Sequence, residues 1–292
     1  RCVDVYTGRV IWEKTLPGLG NYYNVTSHFP GAGEIGSNYI TLPDAVYVVY
    51  GDTIFQLDAA NGETISEFKL KSDAENRHPN WGFLAASGEL LVATSTPVEV
   101  AVRTSGDKQK TPPDPNDQTP PVKISLARQD LADALSPTRY ASASRRLVAF
   151  HRPTGQRLWE RTANLNFRHN CIVLAAGKVF CVDSMTSQKV QALKRYGVTA
   201  SEKSRLLALD EQTGKEIWST DKDVFGTFLN YSVEHDILVQ AGSSYRDRAG
   251  DEVGQGIIAY RGSDGQVLWK NLSLGYGGPC LLWRDKIITN GN

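Results

Sequence analysis

Arg-His occurs twice in the chain beside asparagine amides, as Asn76-Arg77-His78-Pro79-Asn80 and as Asn166-Phe167-Arg168-His169-Asn170, and a further imidazole follows Asn21-Tyr-Tyr-Asn24 at His28. Guanidinium, imidazole and carboxamide together form a donor set suited to a carboxylate, sulfate or phosphate. Arg77, His78, Asn80, Arg168, His169, Asn170 and His28 are therefore the candidate residues for a small anionic ligand. The same side chains could instead cap loop carbonyls. A metal site built from His28, His78 and His169 would need three imidazoles converging at about 2 Å from loops of unequal length, so no metal ligands are assigned. No Ser-His-Asp order, phosphate-binding loop, dinucleotide glycine pattern or HExxH helix is present, and the catalytic residues stay unidentified.

Any such residues must be held by the rest of the 292-residue chain, and its organisation is repetitive. Five segments share a turn followed by a strand: Asp4 to Trp12 around Gly8, Asp58 to Ser66 around Gly62, His151 to Trp159 around Gly155, Asp210 to Trp218 around Gly214, and Arg261 to Trp269 around Gly265. Four of the five place Trp four residues after the glycine, and the second has Ser66 there. Successive glycines are 54, 93, 59 and 51 residues apart; the long interval contains a Pro-, Asp-, Lys- and Ser-rich segment, and removing it leaves a period of about 50. An apolar run precedes each turn, as in Arg205-Leu-Leu-Ala-Leu209, and an alternating one follows it, so each repeat reads as a β-hairpin whose glycine takes positive φ. Further paired runs lie between the hairpins, for example Cys171–Leu174 with Lys178–Cys181. Four short strands per repeat predict an all-β fold, a β-propeller of four-stranded blades. The repeated Trp is expected to wedge between neighbouring blades. About five blades' worth of repeat is present, as a closed ring or as an arc of a larger propeller. The whole chain, 1–292, is read as a single propeller domain or segment with a flexible insertion at 98–145.

Composition narrows the function. Thirty-two basic residues balance 32 acidic ones, giving no electrostatic basis for nucleic acid as a partner, and no apolar run is long enough for a transmembrane helix. The start at Arg1-Cys-Val-Asp4 suggests part of a longer chain. Cys2, Cys171, Cys181 and Cys280 show no CxxC spacing, while Cys171 and Cys181 flank a hairpin turn and could be bridged or free. His151 stands where three other repeats carry Asp and is read, with His235, as structural. Asp247, Asp251 and Glu252, interleaved with arginines, read as a solvated loop.

The Leu209-Asp210-Glu-Gln-Thr-Gly214-Lys-Glu-Ile-Trp218 signature resembles the PQQ-like propeller repeat of the quinoprotein alcohol dehydrogenase and outer-membrane-assembly lipoprotein superfamily, over nearly the whole chain outside the insertions. The resemblance implies a propeller and a periplasmic or secreted location. It leaves two functions open. One is a binding or interaction module for a small anionic ligand or a protein partner. The other is a PQQ- and calcium-dependent oxidoreductase, in which Arg77 and Arg168 would hold the cofactor's carboxylates. The adjacent cysteines usual in the alcohol-oxidising members are missing. With strands labelled A to D outward from the axis, the A–B and C–D turns are tight and the B–C and D–A connections are long, so the ligand or partner site is expected on the B–C and D–A face.

Overall fold

A computed structural model of the chain describes residues 1–17, 39–72, 79–100, 140–185, 203–225, 228–242, 256–275 and 277–290. Every regular element among them is a strand paired antiparallel to its neighbours. Strands β1 (Cys2–Val3) and β2 (Val10–Trp12) form a hairpin, and β3 (Tyr39–Thr41), β4 (Ala45–Tyr50), β5 (Thr53–Asp58) and β6 (Thr64–Phe68) form the first complete blade. The next sheet runs through β7 (Trp81–Ser87), β8 (Leu90–Val100), β9 (Tyr140–His151), β10 (Gln156–Ala175), β11 (Lys178–Asp183), β12 (Arg205–Asp210) and β13 (Glu216–Thr220). A last blade of β14 (Phe228–Ser232), β15 (Ile237–Ala241), β16 (Ile257–Arg261) and β17 (Val267–Asn271) is followed by the pair β18 (Gly277–Trp283) and β19 (Lys286–Asn290). This is the β-propeller of four-stranded blades that the repeat predicts.

Two blades depart from the expected separation. The D strand of the second and the A strand of the third are one 20-residue strand, β10, so the two blades share a seven-stranded sheet. The first half of β10 pairs with β9 through Gln156↔His151 to Thr162↔Arg146, and the second half pairs with β11 through Ile172↔Cys181 to Ala175↔Lys178. The polar stretch expected to be a D–A loop is thus ladder with a bulge between Thr162 and Phe167. The segment 98–145 expected to be flexible also differs at its ends: Val98↔Ala143, Glu99↔Ala141 and Val100↔Tyr140 extend the β8–β9 ladder, and 101–139 lies outside the described residues.

The core is a series of layers between sheets. Tyr47, Phe68, Trp81 and Phe150 fill the layer between the first and second blades, with Phe68 and Phe150 edge to face at 5.4 Å. Leu90, Val92, Phe167, Cys181 and Leu207 fill the next, and Cys171, Phe180, Leu206, Trp218 and Tyr260 the third. With both faces covered, an inner strand such as β12 is buried at four successive residues, Leu206 to Leu209. Cys171 and Cys181 therefore belong to different layers, on opposite faces of their sheet, and both are free thiols. Burial drives the Cys181 thiol far above the ordinary range, so it stays protonated and inert.

Three of the four repeated indoles enter the following blade. Trp12, Trp159 and Trp218 donate Nε1–H to the carbonyls of Ala59, Glu211 and Gly262 at 3.0, 2.8 and 2.9 Å. Each lies flat on the turn glycine three residues further on. A Cβ on Gly62, Gly214 or Gly265 would sit 2.5 or 2.6 Å from the ring, and each glycine has φ between 66 and 76°. Glycine is required here twice over, for its backbone angle and for the ring's approach. Gly155 faces Phe68 instead, since Ser66 occupies the Trp position. The turns themselves are closed by Asp4, Asp58 and Asp210, which accept N–H bonds from the residues two and three positions on.

Candidate functional site

Antiparallel pairing puts the strand ends that lead into the B–C and D–A connections at one end of each described blade and the A–B and C–D turns at the other. Toward the B–C and D–A face, polar side chains hold the entering backbone. Tyr50 donates to the carbonyl of Pro17. Gln240 accepts from Phe225 N–H at 2.8 Å and donates to the Asp223 carbonyl at 2.8 Å. Asp183 accepts from the backbone N–H groups of Asn164 and Leu165 at 2.7 and 2.8 Å, pinning the bulge of β10.

A polar cluster lies where β7, β8, β9 and β10 meet. Thr94 Oγ1 accepts from Phe83 N–H at 2.8 Å and from the Ser144 hydroxyl at 2.9 Å. His169 Nε2 is 2.7 Å from Ser144 Oγ and 3.1 Å from Thr94 Oγ1. The His169 Nε2 nitrogen thus shares hydrogen bonds with both hydroxyls. All three side chains are buried, His169 at 1% exposure. A serine beside a histidine has the ingredients of a nucleophile and base, and here both side chains are buried and tie strands β8, β9 and β10 together. Gly82 makes the space, because a Cβ there would lie 2.7 Å from Ser144 Oγ, 2.8 Å from His169 Cε1 and 2.8 Å from Thr94 Oγ1. Gly82→Ala is expected to cost about 2–3 kcal/mol by overpacking the cluster. Chemical denaturation of the variant measures it, and a loss within experimental error would mean that the cluster repacks freely.

The anion-binding residues read from the sequence are not assembled by the described residues. Arg168, His169 and Asn170 were expected on a loop and stand in strand β10, with Arg168 only 3% exposed. The polar composition of Asn166–Asn170 suggests a loop, but the ladders with β9 and β11 keep it in the sheet, and Asp183 holds the adjoining Asn164 and Leu165. Asn80 is exposed and accepts from Thr96 N–H through its carbonyl at 2.9 Å. Arg77, His78 and His28 lie outside the described residues, as does the acidic cluster at Asp247, Asp251 and Glu252. Nor do the described residues fit PQQ with calcium. The Arg168 guanidinium is buried within the sheet, Cys171 and Cys181 face opposite ways, and no three His, Cys, Asp or Glu side chains converge as a metal cage among the described residues.

The opposite face holds a crevice that sequence reading did not find. Between the tight turns of the second and third blades is a space of about 360 Å³, lined by Gly88, Glu89, Leu90, His151, Leu158 and Glu211 among others. Leu90 and Leu158 form its apolar side. His151 Nδ1 is 2.7 Å from Thr154 Oγ1, and its Nε2 is 3.5 Å from Glu89 Oε2. The signal was present in the repeat alignment, where His151 replaces the turn aspartate and Glu211 occupies the position of Arg152.

The profile of the family described as outer membrane protein assembly factor BamB matches residues 1–172 and 143–278. No curated protein is significantly similar in sequence. Among solved structures, BamB from Moraxella catarrhalis is 14% identical with a TM-score of 0.46, covering 94% of this chain and 55% of that one. The quinohemoprotein alcohol dehydrogenase ADHIIG from Pseudomonas putida HK5 is 14% identical at a TM-score of 0.45, with 81% and 34% covered. A europium-containing methanol dehydrogenase is 12% identical at 0.46, with 95% and 51% covered. The chain thus spans between a third and just over half the length of these proteins. With its repeated Trp-on-glycine contacts, its four-stranded blades and a profile match across most of its length, the chain belongs to the BamB family of PQQ-like β-propellers.

Proposed function

We propose that the chain is an extracytoplasmic interaction module that receives a protein partner on its B–C and D–A face. The observation that carries this reading is the β8–β9 ladder. It continues past the blade through Val98↔Ala143 and Val100↔Tyr140, so a paired ribbon stands on that face with residues 101–139 between its strands. An elaborated connection on a rigid scaffold is where recognition usually resides. Arg77, His78 and Asn80 are the donors that the adjacent D–A connection offers to an anionic group of the partner. The buried hydroxyls, imidazole and carboxylate on this side are engaged in holding backbone and one another, which favours a scaffold over a reaction centre.

A photo-crosslinking amino acid at Asn80 is expected to give a discrete protein adduct in cells, and the same group at Ile65, exposed on outer strand β6, is expected to give none. Equal labelling at both positions would sink the proposal. The alternative, a PQQ-dependent oxidoreductase, is decided by calorimetric titration with PQQ and calcium. No heat is expected at millimolar cofactor, and tight binding would replace this reading with the quinoprotein one.

A further inference from the structure

The repeat supplies its own template for the crevice on the tight-turn face. The register pairs Ala45↔Asp58, Leu90↔His151, Lys178↔Asp210 and Ile237↔Arg261, so the residues just before the B strands, Asp44, Glu89, Gly177 and Asp236, are equivalent. The residues just after the C strands, Ala59, Arg152, Glu211 and Gly262, are equivalent by the same register. Arg152, Glu211 and Gly262 each donate a backbone N–H to an A–B turn carbonyl of their own blade, those of Glu89, Gly177 and Asp236.

At the boundary of the first and second blades, these positions hold an ion pair. The Arg152 guanidinium reaches across to Asp44 Oδ2 at 2.5 Å, donates Nε–H to the Gly88 carbonyl at 3.0 Å and lies 3.5 Å from the Tyr47 hydroxyl. Its side chain is 14% exposed, so the guanidinium plugs that crevice. The third boundary has glycine at both positions, Gly177 and Gly262. The middle boundary keeps the acid, with Glu89 in the place of Asp44, but puts a second carboxylate, Glu211, where the guanidinium stood. The crevice remains open there.

We propose that this crevice binds a guanidinium or primary ammonium group carried on an alkyl stem. Glu89 and Glu211 would accept its N–H groups, and Leu90 and Leu158 would cover the stem. Two carboxylates lining one partly apolar crevice give it negative charge that attracts a cation, and guanidinium matches carboxylates in geometry. The frame is stiff where it matters, because Trp159 donates to the Glu211 carbonyl at 2.8 Å and so fixes that residue's backbone. Two side chains border the site: Lys178 Nζ donates to the Ala176 carbonyl at 3.3 Å, and His151 Nε2 lies 3.5 Å from Glu89 Oε2.

The probes are N-acetyl-arginine amide and its neutral isostere N-acetyl-citrulline amide, titrated into the isotopically labelled chain by NMR. Expected are saturable shifts for the arginine probe at Gly88, Glu89, Gly177 and Glu211, and none for citrulline. Glu211→Gln is expected to weaken binding at least about tenfold, since a charged hydrogen bond becomes a neutral one. Glu211→Arg is expected to abolish binding by filling the crevice as Arg152 fills its own, with thermal stability kept or raised. Equal binding of citrulline, undiminished binding by Glu211→Arg, equivalent shifts with calcium chloride alone, or no saturation at millimolar probe would each overturn the proposal. Tighter binding of a Gly-Gly-Arg-Gly-Gly peptide than of butylguanidinium would identify the source as a protein side chain, and the reverse order a small amine.

Discussion

Trp218→Ala is expected to lower the unfolding free energy by about 3–5 kcal/mol, the usual cost of emptying a large buried aromatic site. Trp269→Ala, the same substitution at the equivalent position one repeat later, should cost under about 1 kcal/mol in this chain. The two differ in what lies over the ring. Trp218 is 9% exposed, donates to Gly262 and packs on Gly265, whereas Trp269 is 43% exposed and β17 is open along its length. Denaturant titration of both variants measures the difference. Equal losses would mean that the indole acts within its own blade, through strand propensity, rather than by docking on the next.

That contact is legible in the sequence alone, and the reason is its locality. Trp218 is tied to its own turn by a fixed four-residue spacing, and turn glycines at positive φ are required wherever such hairpins occur, so fold and interblade wedge can both be read from the repeat. What was not legible depends on distant partners. Asn166-Phe167-Arg168-His169-Asn170 has the composition of a loop, and its ladder pairs with distant strands, Phe167↔Ser144 and Arg168↔Ala143 on β9 and Phe167↔Asp183 on β11, keep it in a strand. The anion-site reading placed Arg168 and His169 on an open mouth because composition does not report which hydroxyl or carboxylate a side chain meets. The crevice at Glu89 and Glu211 was hidden differently. Both residues look like ordinary exposed acids, and their meaning appears only when the register makes Glu211 equivalent to Arg152.

Asp183 carries the second large effect, because one carboxylate holds the junction of two blades. Asp183→Ala leaves the N–H groups of Asn164 and Leu165 in the β10 bulge without their acceptor, at about 1–3 kcal/mol for each buried group, so a loss of about 3–5 kcal/mol is expected. The effect has a pH signature. Burial raises the Asp183 carboxyl above the usual aspartate range, outweighing the backbone N–H bonds that lower it. A group with a raised folded-state value takes up its proton more readily in the native state, so its contribution to stability is complete below the unfolded value and declines as pH rises through the folded one. The stability difference between the parent chain and Asp183→Ala should therefore shrink as pH rises through the region just above the normal carboxylate range. Matched denaturation curves across that range would show it. A difference that stays constant would mean that the N–H bonds offset the burial completely, and that the bulge is held by an ordinary carboxylate.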